Sequence, residues 1–193
     1  MQSCFNQYTD KLDPHTYSET YDFLFRKIRT NYIDLLEIGI DKGGSMKLWH
    51  DYFPFANIYG LDAKDLKDNP KYDQKIRLPE IYFSKRIHMT MEVNAYDEKF
   101  IEEKFKKNNM KFDIIIDDGP HNIESMCFFV KNYSKLLKEN GILIIEDIQS
   151  PDWIPQIMLH VPIELRKYSK VIDLRHNGKR YDDILLVIDK LNC

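Results

Sequence analysis

LLEIGIDKGGSMKLWHDYFPFANIYGLDA, residues 35–63, decides the fold. An apolar run reaches Glu37, the chain turns through Gly39, Gly43 and Gly44, a helix-like SMKLWHDYF follows, and a second apolar run, NIYGLDA, closes on Asp62. The same alternation continues outward. RIHMTMEV (86–93), FDIIIDD (112–118) and GILIIED (141–147), like IDLLEIG (33–39), are short apolar runs, most with an acidic residue at or near the end. Between them lie the helix-like stretches YDEKFIEEKFKKN and NIESMCFFVKNYSKLLKEN, the second with apolar residues at helical spacing and Gly141 as its stop signal. Continuous apolar strands alternating with helices predict a parallel sheet covered on both faces. The tail differs: SKVIDLR, HNGKRY and DDILLVID read as strand, turn and strand, so an antiparallel hairpin closes the sheet. The expectation is an α/β, Rossmann-like fold with a mostly parallel seven-stranded sheet, a C-terminal antiparallel hairpin and helices on both faces. It forms one domain over residues 1–193, with 1–30 an N-terminal helical, substrate-side segment and 31–193 the core.

The composition excludes several classes. A chain of 193 residues with 43% hydrophobic and 13% aromatic residues is long and apolar enough for one domain with a real core. Its 28 basic and 31 acidic residues leave a net charge of −3, without the basic excess of a nucleic-acid binder. Lys104, Lys106 and Lys107 are interleaved with Glu102 and Glu103, as on a solvated helix face. Cys4, Cys127 and Cys193 have no C-x-x-C spacing, which suggests neither a disulfide framework nor a zinc site and fits reduced thiols in the cytoplasm. MQSCFNQYTDKLD lacks the charged and apolar regions of an export signal, and no run of about 18 apolar residues offers a membrane span.

Three of the seven glycines crowd the turn EIGIDKGGS, where a backbone must turn tightly and approach something closely. Gly39 to Gly44 has the spacing of a phosphate-binding P-loop, but Ser45 stands where its lysine belongs. A dinucleotide turn needs G-x-G-x-x-G, which IGIDKGG does not supply, and Asp41 would repel a pyrophosphate. A third cofactor carries no phosphate but a sulfonium, an amino acid group and an adenosine. Glu37 can face its cationic amino acid part, the Gly39 to Gly44 backbone can lie against it, and Asp62 can accept both ribose hydroxyls. Singly, Glu37 could be salt-bridged and Asp62 a helix N-cap; together, with Gly60 two residues before Asp62, they favour S-adenosylmethionine (SAM).

These residues also carry a resemblance. LLEIGIDKGGSMKLWHDYFPFANIYGLDA resembles the first two motifs of class I SAM-dependent methyltransferases, and its GGS...W..YFP...I.G.D form resembles the sugar O-methyltransferases that modify deoxyhexoses of macrolide antibiotics and surface glycans. YTDKLDPHTYSETY upstream is similar to that family's TDK...H.Y...Y segment, which implies His15 and Tyr17 on the substrate side. Asp41 departs from the common G-x-G-x-G loop. The resemblance implies cofactor contacts from Glu37, Gly39, Gly43, Ser45 and Asp62, and adenine contacts from the turn holding Asn94, Ala95 and Tyr96.

Asp117-Asp118 and Glu146-Asp147 end two strands. If those strands are parallel neighbours, the carboxylates meet at one edge, and their repulsion raises pKa values unless a cation intervenes. Hard oxygen donors without clustered Cys or His select Mg²⁺ or Mn²⁺; the bland alternative is that the acids cap the helices beginning near His121 and Ser150. The resemblance implies Asp118, Glu146 and Asp147 as metal ligands, while Asp117 is a cap or a cofactor contact. His121, three residues after Asp118, falls in the family's general-base position, and a neutral imidazole accepts a proton near physiological pH. His121 and Asp118 are thus the expected catalytic pair. QSPDWIPQIMLHVPIELRKY reads either as a substrate-facing lid, bringing Gln149 and Trp153 to a sugar, or as an irregular packed helix.

The expected activity is methyl transfer from SAM to a sugar hydroxyl, a rhamnose-like deoxyhexose of a glycan. Two other readings are an O-methyltransferase for a catechol-like diol, and a non-catalytic SAM-fold module in a glycosyltransferase assembly. The expected partner is a sugar or glycan acceptor, with a homo-oligomer or fusion to glycosyltransferase domains left open.

Overall fold

The computed structural model describes residues 9–11, 14–65, 83–177 and 180–192. Cys4, Cys193, Gly178 and part of the YTDKLDPHTYSETY segment lie outside the described residues. Seven strands form one sheet in the order β3-β2-β1-β4-β5-β7-β6. They are β1 (Asp34–Ile38), β2 (Asn57–Leu61), β3 (Ile87–Thr90), β4 (Phe112–Asp117), β5 (Leu137–Ile145), β6 (Ser169–Asp173) and β7 (Ile184–Asp189). β1 to β5 pair in parallel, while β7 is antiparallel to both β5 and β6. The mostly parallel sheet and its C-terminal hairpin are as the sequence predicts.

Alternation along each strand sorts side chains between two apolar layers. Leu35, Ile114, Ile116, Ile142 and Ile144 face helices α1 (Ser18–Phe25) and α2 (Gly44–Tyr52), through Tyr21, Phe25, Trp49 and Tyr52. Leu36, Ile38, Ile115, Leu143 and Ile145 face α3 (Glu98–Ile101, continued as a π-helical turn to Lys106), α4 (Ile123–Tyr133) and α5 (Ile154–His160).

One element differs from its sequence reading. The helix predicted through residue 140 ends at Tyr133, passes through a short 3₁₀ turn and gives way to β5 at Leu137, which pairs with Phe112. Lys138 then reaches Asp34 at 2.9 Å and Asp113 at 2.7 Å. Gly141 is therefore no helix stop. It sits inside the strand, where a Cβ would lie 2.7 Å from Leu137 Cδ1.

From β1 the chain builds outward to β2 and β3, then crosses back to place β4 on the other side of β1. That reversal opens a crevice beyond the carboxyl ends of β1 and β4, the place where open α/β sheets bind ligands. The ladder runs slightly past both strands: the Asp118 N–H donates to Ile38 O at 2.9 Å and the Glu146 N–H to Asp117 O at 3.0 Å.

Candidate active site

The strand period explains why adjacent acids part company. Asp118 continues the face of Ile114 and Ile116, as Glu37 continues that of Leu35 and Glu146 that of Ile142 and Ile144, so all three carboxylates converge on the α1 side. Asp117 points to the opposite face, where the Tyr96 hydroxyl donates to it. Burial pushes the Asp117 carboxyl up to about 7, with the Tyr96 hydrogen bond opposing the shift. None of these acids caps a following helix: Asn122 accepts the Ser125 N–H at 2.9 Å, and Ser150 accepts that of Asp152 at 3.2 Å.

Like charges do meet, as the sequence predicts, but the cation between Glu37, Asp118 and Glu146 is a residue that sequence reasoning missed. The fully buried Lys11 ammonium lies 2.7 and 2.8 Å from the two Glu146 oxygens, 2.8 Å from Asp118 Oδ2 and 3.2 Å from Glu37 Oε1. Burial alone would lower the lysine pKa, but the three acids outweigh it and hold it well above its ordinary value. Burial raises Glu146 despite the opposing charge of Lys11. Asp118 is held below the usual carboxylate range, because Lys11 and His121 overcome its burial. The only sequence signal for Lys11 is its place in the TDK segment.

Asp147 forms a second group. Its backbone is left-handed (φ 54°), which swings the side chain beside His121, itself left-handed at φ 50°. The Tyr17 hydroxyl donates to Asp147 Oδ1, while Asp147 Oδ2 lies 3.5 Å from His15 Nε2 and 3.8 Å from His121 Nδ1. His121 Nε2 is 3.1 Å from Asp118 Oδ1. Burial works to lower the His121 pKa, but its hydrogen bond to Asp118 and the charges of Asp118, Asp147 and Asp117 raise it. His15 Nδ1 is 2.6 Å from the fully buried Asp183.

The glycine turn supplies the other wall. Gly39 (φ 81°) packs so closely on the β4 end that a Cβ would lie 1.9 Å from the Asp118 carbonyl oxygen. Asp62 Oδ2 accepts the N–H groups of Ile40 at 2.9 Å and Asp41 at 3.1 Å, and its Oδ1 accepts that of Lys64 at 2.9 Å. Asp62 thus fixes the turn and does not cap a helix. A cavity of about 860 Å³ opens between this turn, Asp62, the Asn94, Ala95 and Tyr96 loop, and the stretch from Asp118 to His121. Ser45 lines it, and Gly43 (φ 79°) starts α2 behind it. Glu37 lies beneath the turn, fully buried, accepting from Trp49 Nε1 at 2.9 Å. It is not among the residues that line the cavity.

The residues expected on the substrate side are dispersed. His15 and Tyr17 are buried and direct their polar atoms at Asp183 and Asp147. Gln149 is exposed, and Trp153 packs on the apolar layer of Ile157 and Val161. QSPDWIPQIMLHVPIELRKY folds as a 3₁₀ turn at Pro151–Trp153, α5, and a 3₁₀ stretch at Ile163–Tyr168. Among the described residues, no helix is long and apolar enough to cross a membrane.

No family model matches the chain. Two curated relatives are similar over most of it. Mycinamicin VI 2''-O-methyltransferase of Micromonospora griseorubida is 30% identical over 147 residues, covering 72% of this chain and 33% of that protein. The 8-demethyl-8-(2-methoxy-alpha-L-rhamnosyl)-tetracenomycin-C 3'-O-methyltransferase of Streptomyces olivaceus is 29% identical over 141 residues, covering 69% and 32%. The chain thus spans about a third of the length of these relatives. Among solved structures, MycE methyltransferase in complex with Mg, SAH and mycinamycin VI superposes with a TM-score of 0.69 at 20% identity, covering 97% of this chain and 53% of that one. The sheet order, the glycine turn and these similarities agree: the chain has the class I methyltransferase fold, and its sequence is similar to those of proteins named as O-methyltransferases.

Proposed function

We propose that the chain transfers a methyl group from SAM to a sugar hydroxyl, with a divalent metal and His121 assisting. The observation that carries this reading is that one cavity has the glycine turn, Asp62 and Tyr96 on one side and the Asp118 to His121 stretch on the other. A donor held on the turn and an acceptor held at the acids would meet there. The volume and the mixture of apolar walls with Asp62 and Ser45 suit a nucleoside and an amino acid. Asp118 groups with Asp147 and His121 on one side and with Glu146 and Glu37 on the other, and the oxygen donors of these acids suit Mg²⁺ or Mn²⁺. The similarity to enzymes named as mycinamicin VI and rhamnosyl-tetracenomycin-C O-methyltransferases supports the choice of acceptor.

SAM supplies an electrophilic methyl on a sulfonium, and the metal, when bound, acidifies and orients a hydroxyl. The chain's own residues do the rest. His121 takes the hydroxyl proton on an imidazole nitrogen as the oxygen–methyl bond forms and the sulfur–methyl bond breaks, the electron pair passing to sulfur. Asp118 orients that imidazole through its 3.1 Å contact with Nε2. The turn and Asp62 align the donor, which lowers the entropy cost of attack. A cytoplasmic setting, and a homo-oligomer or fusion to glycosyltransferase domains that completes the acceptor side, accompany this proposal.

Mass-spectrometric detection of methyl transfer to a rhamnoside, with and without EDTA, tests it. EDTA-sensitive product is expected. Product that persists in EDTA removes the metal, and SAM binding without any product favours a non-catalytic module. Turnover of a catechol but of no sugar favours the small-diol reading.

A further inference from the structure

The two acid groups at the strand ends differ in how their oxygens are used. Both Glu146 oxygens already meet donors: Oε1 accepts from Tyr21 and from Lys11 at 2.8 Å, and Oε2 accepts from Lys11 at 2.7 Å. Asp118 Oδ2 accepts from Lys11 at 2.8 Å. The three ammonium protons are thus matched by three carboxylate oxygens, with Glu37 adding its charge at 3.2 Å. Among the described residues, Asp147 Oδ2 meets no donor as close, the nitrogens of His15 and His121 standing at 3.5 and 3.8 Å. It lies with Asp118 and His121 in a group whose ligand atoms fall within 4.8 Å of one another, and this group borders the cavity through Asp118 and His121.

We propose that Lys11 is a tethered cation that shares the acid cluster with the divalent ion: it occupies Glu37, Glu146 and Asp118 Oδ2, and confines the ion to Asp118 Oδ1 and Asp147 Oδ2. This rests on the metal reading above and departs from the ligand set that the resemblance implies, since Glu146 becomes a partner of Lys11 and not of the ion. Lys11 is then a positioning residue. It holds Asp118 so that one oxygen faces inward and the other faces His121, and its fixed charge weakens divalent binding, keeping the ion exchangeable. The like-charge repulsion is large at this range because the ammonium is excluded from water. Lys11 also ties β1, through Glu37, to β4 and β5, which couples the floor of the glycine turn to the metal edge.

Mn²⁺ titration followed by electron paramagnetic resonance reads metal affinity without turnover. Asp147→Asn is expected to weaken Mn²⁺ binding by about tenfold or more and Glu146→Gln to change it by less than about threefold, the difference between losing a ligand and losing a neighbour. Lys11→Met is expected to tighten binding by about tenfold, because a nearby positive charge is gone and two carboxylates are freed, whereas Lys11→Arg stays near wild type. Binding weakened equally by Glu146→Gln and Asp147→Asn overturns the inference while leaving the metal reading intact. A folded Lys11→Met protein that binds no tighter also overturns it. If Lys11→Met does not fold, the Glu146 and Asp147 pair decides alone. Wild type that takes up no Mn²⁺ overturns the metal reading and this inference together.

Discussion

A left-handed backbone sets His121 in contact with Asp118 and beside Asp147, and the cost of that geometry is informative. A φ of 50° at a non-glycine residue costs of order 1 kcal/mol, and Asp147 beside it is at 54°. Two such residues, in one site and 3.8 Å apart, place an imidazole between Asp118 and Asp147 that an ordinary backbone would direct elsewhere. If His121 is the base, His121→Ala should leave SAM affinity nearly unchanged in calorimetry and lower turnover by about 10²- to 10⁴-fold. Unchanged turnover rejects the assignment. The pH dependence has a definite sign. Hydrogen bonding and charge raise the His121 pKa above its ordinary value, so the imidazole stays protonated, and useless as a base, to a higher pH than a free histidine. In the metal-free protein the imidazole should therefore titrate, by NMR, with a midpoint above that of free histidine, and that signal should vanish in His121→Ala. The meeting of the acids was readable from FDIIIDD (112–118) and GILIIED (141–147), because carboxylates at the ends of adjacent parallel strands must meet. Lys11 was not, because its contact with Asp118 spans 107 residues and nothing in local spacing marks a lysine as an internal counterion. The placement of Glu37 under the turn follows from which face of β1 it occupies, a choice that depends on the packing of Trp49 and α1.

At the scale of elements, the strand–turn–helix of residues 35–63 was legible because its apolar runs, glycines and terminal acids all indicate the same geometry. α4 was legible only in part. Its apolar spacing continues into SKLLKEN, but Leu137 gains more by pairing beside Phe112 than by one more helical turn, and Lys138 meets Asp34 and Asp113 there. Tertiary pairing overrides local propensity at such boundaries. The glycine turn itself makes a sharper prediction. Gly39 has a positive φ, and a Cβ there would enter the Asp118 carbonyl oxygen at 1.9 Å. Since that contact is backbone, it cannot be relieved by a rotamer change. Gly39→Ala should lower stability by about 2–4 kcal/mol, through strain and forced separation of the β1 and β4 ends. Thermal melting by circular dichroism checks this, and a melting temperature equal to wild type shows that the two strand ends are not as closely apposed as described. Gly60→Ala should be milder, because its nearest neighbour at 2.8 Å is the flexible Met46 side chain.

For the molecule as a whole, the question is whether a chain spanning about a third of its curated relatives suffices for the first step, donor binding. The cavity proposed for the donor lies between the carboxyl ends of β1, β2, β3 and β4, on elements packed by both apolar layers of the one sheet. The acceptor side is different in kind. Tyr17 and His15 are committed to buried acids, Trp153 to packing and Gln149 to the surface, so the described residues offer the sugar few fixed partners beyond the acids themselves. Donor binding should therefore be intact in the isolated chain, whether or not an acceptor is recognised there. S-adenosylhomocysteine, the product left after methyl transfer, separates the two. It should bind the chain one to one in calorimetry and, at about a hundred times its dissociation constant, stabilise the fold by about 2.7 kcal/mol, visible as a rise in melting temperature. Asp62→Asn should reduce that rise, because the carboxylate both fixes Ile40, Asp41 and Lys64 and faces the cavity. A chain that melts at the same temperature with and without saturating S-adenosylhomocysteine would remove the donor from this cavity, and with it the reason for placing His121 and the acids where a methyl group arrives.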